Sequence, residues 1–195
     1  MYLSKQLRQI VKFYNKDDML TIQNREVMRI HNLIKIAKKN PTNIALLRGK
    51  EYELCVKKPR QDKTGLSQLL FKNISEHAIL IASEYEIDDG CLRQQHGDLL
   101  FWQPAITEGD ASAPNGRWIV IECKRLIGGY WIEYHSEQRL ENVKQQSKRI
   151  TERLKSWLTH LCKYDEMLDN CAVIKDGVRC ISTAILTEKG LVFID

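Results

Sequence analysis

Residues Trp118-Ile119-Val120-Ile121 form an unbroken apolar run that turns abruptly polar at Glu122-Cys123-Lys124-Arg125. A run of this length and composition reads as a strand, whose side chains alternate between two faces. Ile119, Ile121 and Cys123 therefore share one face, and Glu122 and Lys124 stand side by side on the other. A buried strand does not place charge in its path without a reason, because unpaired buried charges are costly. A second apolar run opens with Gly97-Asp98, so that another carboxylate leaves a strand near its beginning.

The chain has 195 residues, enough for one domain with a proper core and no need of disulfide staples. Its net charge of +5 is mild, but lysines and arginines cluster, which permits a polyanionic partner without demanding one. No apolar run approaches the length of a membrane span, and Met1 to Lys16 is amphipathic with mixed charge, unlike a secretory signal. The expectation is an intracellular protein with no membrane partner, cytoplasmic or associated with a nucleoid or nucleus. Cys55, Cys91, Cys123, Cys162, Cys171 and Cys180 are scattered through apolar surroundings, so reduced thiols are expected. The even spacing of Cys162, Cys171 and Cys180 beside His160 invites a zinc reading, but the gaps lack the short ligand pairs of structural zinc.

Apolar residues recur at helical spacing in Leu3, Leu7, Ile10, Val11 and Tyr14, and again in Val27, Ile30, Leu33, Ile34 and Ala37. Asn40-Pro41 ends the second helix, and Asn43 caps a third that runs past Gly49 to Leu54. The basic, proline-broken stretch Lys57 to Lys63 is a loop before a helix over Leu66 to Ile74. Ala78 to Ile87 reads as a strand, and Asp88-Asp89-Gly90 as the turn of a hairpin into the Asp98 strand. Pro104 to Gly116 is a surface loop. Ser136 can cap a long helix whose stripe is Leu140, Val143, Ser147, Ile150, Leu154, Trp157, Leu158 and Leu161. Its other faces carry Arg139, Lys144, Lys148, Arg149, Arg153 and Lys155, either a solvated surface or a contact for a phosphate backbone. Arg179 to Leu186 and Leu191 to Ile194 close the chain as strands around Glu188-Lys189-Gly190.

If Asp98 and Glu122 meet, two carboxylates and the Lys124 amine converge. Such a set suits a hard divalent cation and an attacking water, and thus metal-assisted phosphodiester hydrolysis. Glu-x-Lys alone carries little information, since two common residues at fixed spacing arise by chance about once in a chain of this size. The plainer reading is an exposed strand end, with Glu122 and Lys124 pairing with neighbours or water. His31, His77, His96, His135 and His160 show no paired metal spacing, though His96 lies close enough to Asp98 in sequence to touch a substrate. No Ser-His-Asp signature or phosphate-binding glycine loop is present. Trp102, Tyr130, Trp131 and Tyr134 flank the site in sequence and could stack on bases, although aromatic residues there are more often core.

The order helix, hairpin strand, Asp strand, Glu-x-Lys strand, long helix, final strands resembles the PD-(D/E)xK, or restriction-endonuclease-like, nuclease superfamily. The resemblance runs from Gly49 to the C-terminus and rests on Gly97-Asp98, on Ile121-Glu122-Cys123-Lys124-Arg125 and on element order. Glycine stands at 97 where the family name has proline. The resemblance implies an α/β fold with a mixed four- or five-stranded central sheet flanked by helices over 49–195, preceded by a helical N-terminal extension over 1–48. It implies that Asp98 and Glu122 bind Mg²⁺, with Mn²⁺ as a substitute, that the backbone carbonyl of Cys123 is a further ligand, and that Lys124 positions the water. Gly49-Lys50-Glu51-Tyr52-Glu53 resembles the acidic motif such nucleases carry on a preceding helix, which nominates Glu53. Glu76 and Glu84 compete for that role, and Glu51 and Glu53 read equally well as surface residues. A glutamine on the following helix is sometimes used, and Gln138, Gln145 and Gln146 are available. The implied activity is a nuclease, with DNA the preferred partner, acting as a homodimer or within a larger complex. The rivals are a non-cleaving nucleic-acid-binding or assembly subunit of the same fold, and an interaction protein with a coincidental triplet.

Overall fold

The computed structural model describes residues 3–12, 28, 32, 74, 78–87, 96–104, 116–123, 131–187 and 190–194. Among the described residues nine elements follow one another: helix α1 (Leu3–Lys12), strands β1 (Ile79–Glu86), β2 (His96–Gln103) and β3 (Arg117–Cys123), helices α2 (Trp131–Tyr164), α3 (Glu166–Asp169) and α4 (Ala172–Arg179), and strands β4 (Ile181–Thr187) and β5 (Gly190–Ile194). The strands form one five-stranded sheet in sequence order. The class is mixed α/β. Pairing is antiparallel except between β3 and β4, which are parallel. A parallel neighbour requires a crossover, and the three consecutive helices α2 to α4 supply it.

β3 lies at the centre of the sheet, and this placement explains its apolar run, because a central strand is covered on both faces. Trp118 and Val120 join Leu100 and Trp102 against Ile150, Leu154, Trp157 and Leu158 of α2, together with Val173 and Ile174 of α4. Ile119 and Ile121 face the other way and pack with Leu80, Leu99, Phe101, Ala184 and Leu186. Leu3 and Leu7 of α1 are wholly buried within the helix-side cluster, so this first helix is docked on the same core as β1.

The stripe of the long helix is as its spacing predicts, with Ser147, Ile150, Leu154, Trp157 and Leu158 buried. The helix begins at Trp131, five positions before the expected cap at Ser136, and continues for 34 residues, about 50 Å. Two elements went unanticipated. Asp165 caps α3, its carboxylate accepting from the backbone N–H groups of Met167 and Leu168 at 3.1 and 3.4 Å. Arg179, expected to open the closing strand, instead ends α4, and β4 starts at Ile181. Trp102 belongs to the core rather than to a surface for stacking. Tyr130 and the side chains of Trp131 and Tyr134 lie outside the described residues, as do the turn at Asp88-Asp89-Gly90, the loop of 105–115 and most of the expected helices before 74. No helix among the described residues is long and apolar enough to cross a membrane.

Candidate active site

β2 and β3 pair in register from Gln103–Arg117 to Leu99–Ile121, and Asp98 and Glu122 are the residues immediately beyond the last of these pairs. Opposed residues on antiparallel strands project from the same face, with Cβ atoms about 5 Å apart. Asp98 alternates with Leu100 and Trp102, and Glu122 with Val120 and Trp118, so both carboxylates leave the sheet on the face covered by α2. Two residues 24 positions apart in sequence are thereby neighbours. Where the ladder ends, the side chain of Asp98 continues it: its Oδ2 accepts from the backbone N–H of Cys123 at 2.8 Å. This bond ties the start of β2 to the end of β3.

Glu122 is only 1% exposed, whereas Asp98 is half-buried. The plainer reading, in which Glu122 leaves the core for water, therefore does not describe it. The Cys123 thiol packs against the apolar cluster on the opposite face, as alternation requires, which leaves its backbone as the part that faces chemistry. A buried carboxylate beside a second carboxylate is an arrangement that favours a cation, because each negative charge otherwise raises the cost of the other. The donors are carboxylate oxygens, the ligand type of Mg²⁺ rather than of a soft metal. Among the described residues no group of three or more His, Cys, Asp or Glu side chains stands in metal-holding array.

Two buried hydroxyls near this place were missed in the sequence. Tyr85, within the apolar strand β1, is wholly buried, and its ring lies where a β-carbon on Gly97 would otherwise be. Burial pushes its phenol well above the ordinary tyrosine range, and the charges of Glu122 and then Asp98 push it further. The second is Ser147, which the sequence placed in the α2 stripe. Thr151 bonds Thr183 of β4, hydroxyl to hydroxyl, at 2.8 Å, and Thr183 is level with Val120. As α2 runs back across strands β3 and β4, Ser147, one turn earlier, comes to the level of Ile185 and its partner Glu122. Glutamate and lysine motifs advertise themselves; a tyrosine in an apolar strand or a serine in an apolar stripe looks like core until register is known.

Lys124, Glu53 and Glu76 lie outside the described residues. Glu84 lies within β1 between Ser83 and Tyr85, whose partners Leu99 and Gly97 flank Asp98, while its side chain is outside the description. Gln145 and Gln146 are exposed on α2, and the side chain of Gln138 is likewise outside. His96 pairs with Glu86 across the strands at 3.5 Å, which gives it a partner away from Asp98. Cys123, Cys162, Cys171 and Cys180 are thiols, not disulfides. Burial, then the charges of Asp169 and Asp165, push the Cys162 thiol pKa up.

No protein-family model, no curated protein and no solved structure matches the chain. The fold and the acidic pair define it only as a mixed α/β protein with two carboxylates brought together at the ends of adjacent central strands.

Proposed function

We propose that this chain is a Mg²⁺-dependent nuclease of the PD-(D/E)xK, restriction-endonuclease-like kind, which hydrolyses phosphodiester bonds, with DNA the preferred substrate. The observation that carries the reading is that Asp98 and Glu122 lie just beyond the last β2–β3 pair, with the Asp98 carboxylate bonded to the backbone N–H of the residue after Glu122. The antiparallel β1–β2–β3 meander, the crossover helix and the parallel β4 supply the element order on which the resemblance rests. Asp98 and Glu122 would hold the metal, with the Cys123 carbonyl as a further ligand and Mn²⁺ as a substitute ion. The cation, when bound, would supply Lewis-acid stabilisation of phosphoryl charge and acidify a water. Lys124, two residues after Glu122, would orient that water, and Glu53 remains the nominee for a further acidic ligand. Exposed Lys148, Arg149 and Lys155 on the outward side of α2 are available to phosphate, and the net charge of +5 is compatible with such a partner. Cutting both strands would call for a homodimer or a larger complex, because one such centre cuts one strand at a time.

The purified protein should nick or cut DNA with Mg²⁺ or Mn²⁺, and Glu122→Ala or Lys124→Ala should abolish cleavage while leaving the cooperative unfolding transition in place. Cleavage that survives both substitutions would overturn the assignment. The second reading, a non-cleaving nucleic-acid-binding or assembly subunit of the same fold, is favoured by one observation, the near-complete burial of Glu122. DNA retained in a gel-shift assay without metal-dependent cleavage would select it.

A further inference from the structure

Tyr85 stands outside the Asp and Glu-x-Lys pattern, yet it is built against it. Its partner across β1 and β2 is Gly97, the residue immediately before Asp98. A β-carbon at 97 would run into the ring carbons and the hydroxyl of Tyr85, so the phenol oxygen lies directly over the glycine backbone. The side chain is wholly buried, and its hydroxyl has no hydrogen-bond partner among the described residues. Phenylalanine would fill the same space without bringing a polar atom into it, so packing alone does not account for tyrosine. Tyr85 packs in the same helix-side cluster as Leu100 and Val120, the residues that alternate with Asp98 and Glu122 along β2 and β3.

We propose that Tyr85 is a positioning residue of the Asp98–Glu122 site, its hydroxyl reaching these carboxylates through one bridging water, and that Gly97 is the small residue that admits the ring. The glycine that replaces proline in the Gly97-Asp98 motif then has a physical reason, since any side chain at 97 would displace the phenol. Tyr85 touches no reacting atom in this scheme. It acts by fixing the carboxylates, as partners of metal ligands commonly do. The consequence for metal affinity rests on the nuclease reading; the water-bridged link to the carboxylates does not.

Tyr85→Phe in the full chain tests this, because it keeps the ring on Gly97 and deletes only the hydroxyl. The side-chain carboxyl ¹³C resonances of Asp98 and Glu122, followed at neutral pH without metal, should move in the variant. Mn²⁺ binding, followed by water-proton relaxation, should weaken by roughly tenfold or more. Trp118→Phe serves as the control, lowering the melting temperature and leaving Mn²⁺ affinity unchanged. Carboxyl resonances that stay in place would overturn the proposal whether or not the protein binds metal. Resonances that move in a protein whose wild type binds no Mn²⁺ would uphold the role of Tyr85 and leave the nuclease reading as the one that fails.

Discussion

Toward one end of β3 the indole of Trp118 presses on Gly177 of α4; toward the other, the phenol of Tyr85 presses on Gly97 of β2. Both rings are wholly buried, and both occupy the place of a missing β-carbon. They differ in their polar atoms. The indole Nε1–H donates to the carbonyl of Val173 at 2.8 Å, and the Trp118 backbone N–H donates to that of Cys180 at 3.0 Å, so the Trp118 end is closed by hydrogen bonds to the crossover. The Tyr85 hydroxyl has no such partner among the described residues and lies in the field of two carboxylates. The same packing device thus serves cohesion at one end of the strand and polarity at the other. A fold optimised only for stability would satisfy both atoms or dispense with both.

The largest effect expected from breaking this comparison is at the satisfied ring. Trp118→Ala removes a wholly buried indole and leaves the Val173 carbonyl without its donor, which should cost about 3–5 kcal/mol. Urea denaturation followed by circular dichroism would measure it. A loss below about 1 kcal/mol, the size of an exposed-site change, would mean that the end of the sheet at α4 is not the anchor described.

Next in size are the glycines. A β-carbon at Gly177 would come within 2.5–2.6 Å of three indole atoms, and one at Gly97 would meet the phenol more closely still. Gly177→Ala and Gly97→Ala should each cost about 1–3 kcal/mol through overpacking. Gly97→Ala combined with Tyr85→Ala should destabilise less than the two single changes summed, because the larger residue's removal makes room for the new methyl. Strict additivity in that cycle would show that ring and glycine do not share a space.

These contacts also separate what could be read in the chain from what could not. The Trp118 to Ile121 run and the α2 stripe were legible because burial imposes a period on residue type, two for a strand and 3.6 for a helix. Asp98 and Glu122 were legible as charges interrupting apolar runs. Their meeting was not, since it depends on the register of β2 on β3, which no local pattern specifies. The four-residue helix α3 is shorter than two turns, too brief for a hydrophobic period, and α4 carries Gly177, a poor helix former whose value is its contact with Trp118. Tyr85 was hidden for the opposite reason: it satisfies the strand pattern perfectly, and only its neighbours reveal the hydroxyl. Lys124 and Glu53 follow from the resemblance alone.

The smallest effect distinguishes the two rings most directly. At neutral pH Tyr85→Phe should change stability by no more than about 1 kcal/mol in either direction, since the loss of a water-bridged hydrogen bond and the relief of burying a hydroxyl oppose each other. The difference should appear under alkaline conditions. A tyrosine in the unfolded chain titrates near about pH 10, whereas in the fold burial, Glu122 and Asp98 hold the Tyr85 proton to higher pH. Above about pH 10 the native state therefore binds more protons than the unfolded state, and stability declines as pH rises. That contribution is complete below the unfolded value and is lost on the way up to the folded one. The melting temperature of the wild type should thus fall more steeply between about pH 9.5 and 11 than that of Tyr85→Phe, in a differential scanning fluorimetry series. Parallel slopes would mean that the phenol ionises in the fold as readily as in the open chain, which its complete burial and the charges of Glu122 and Asp98 oppose.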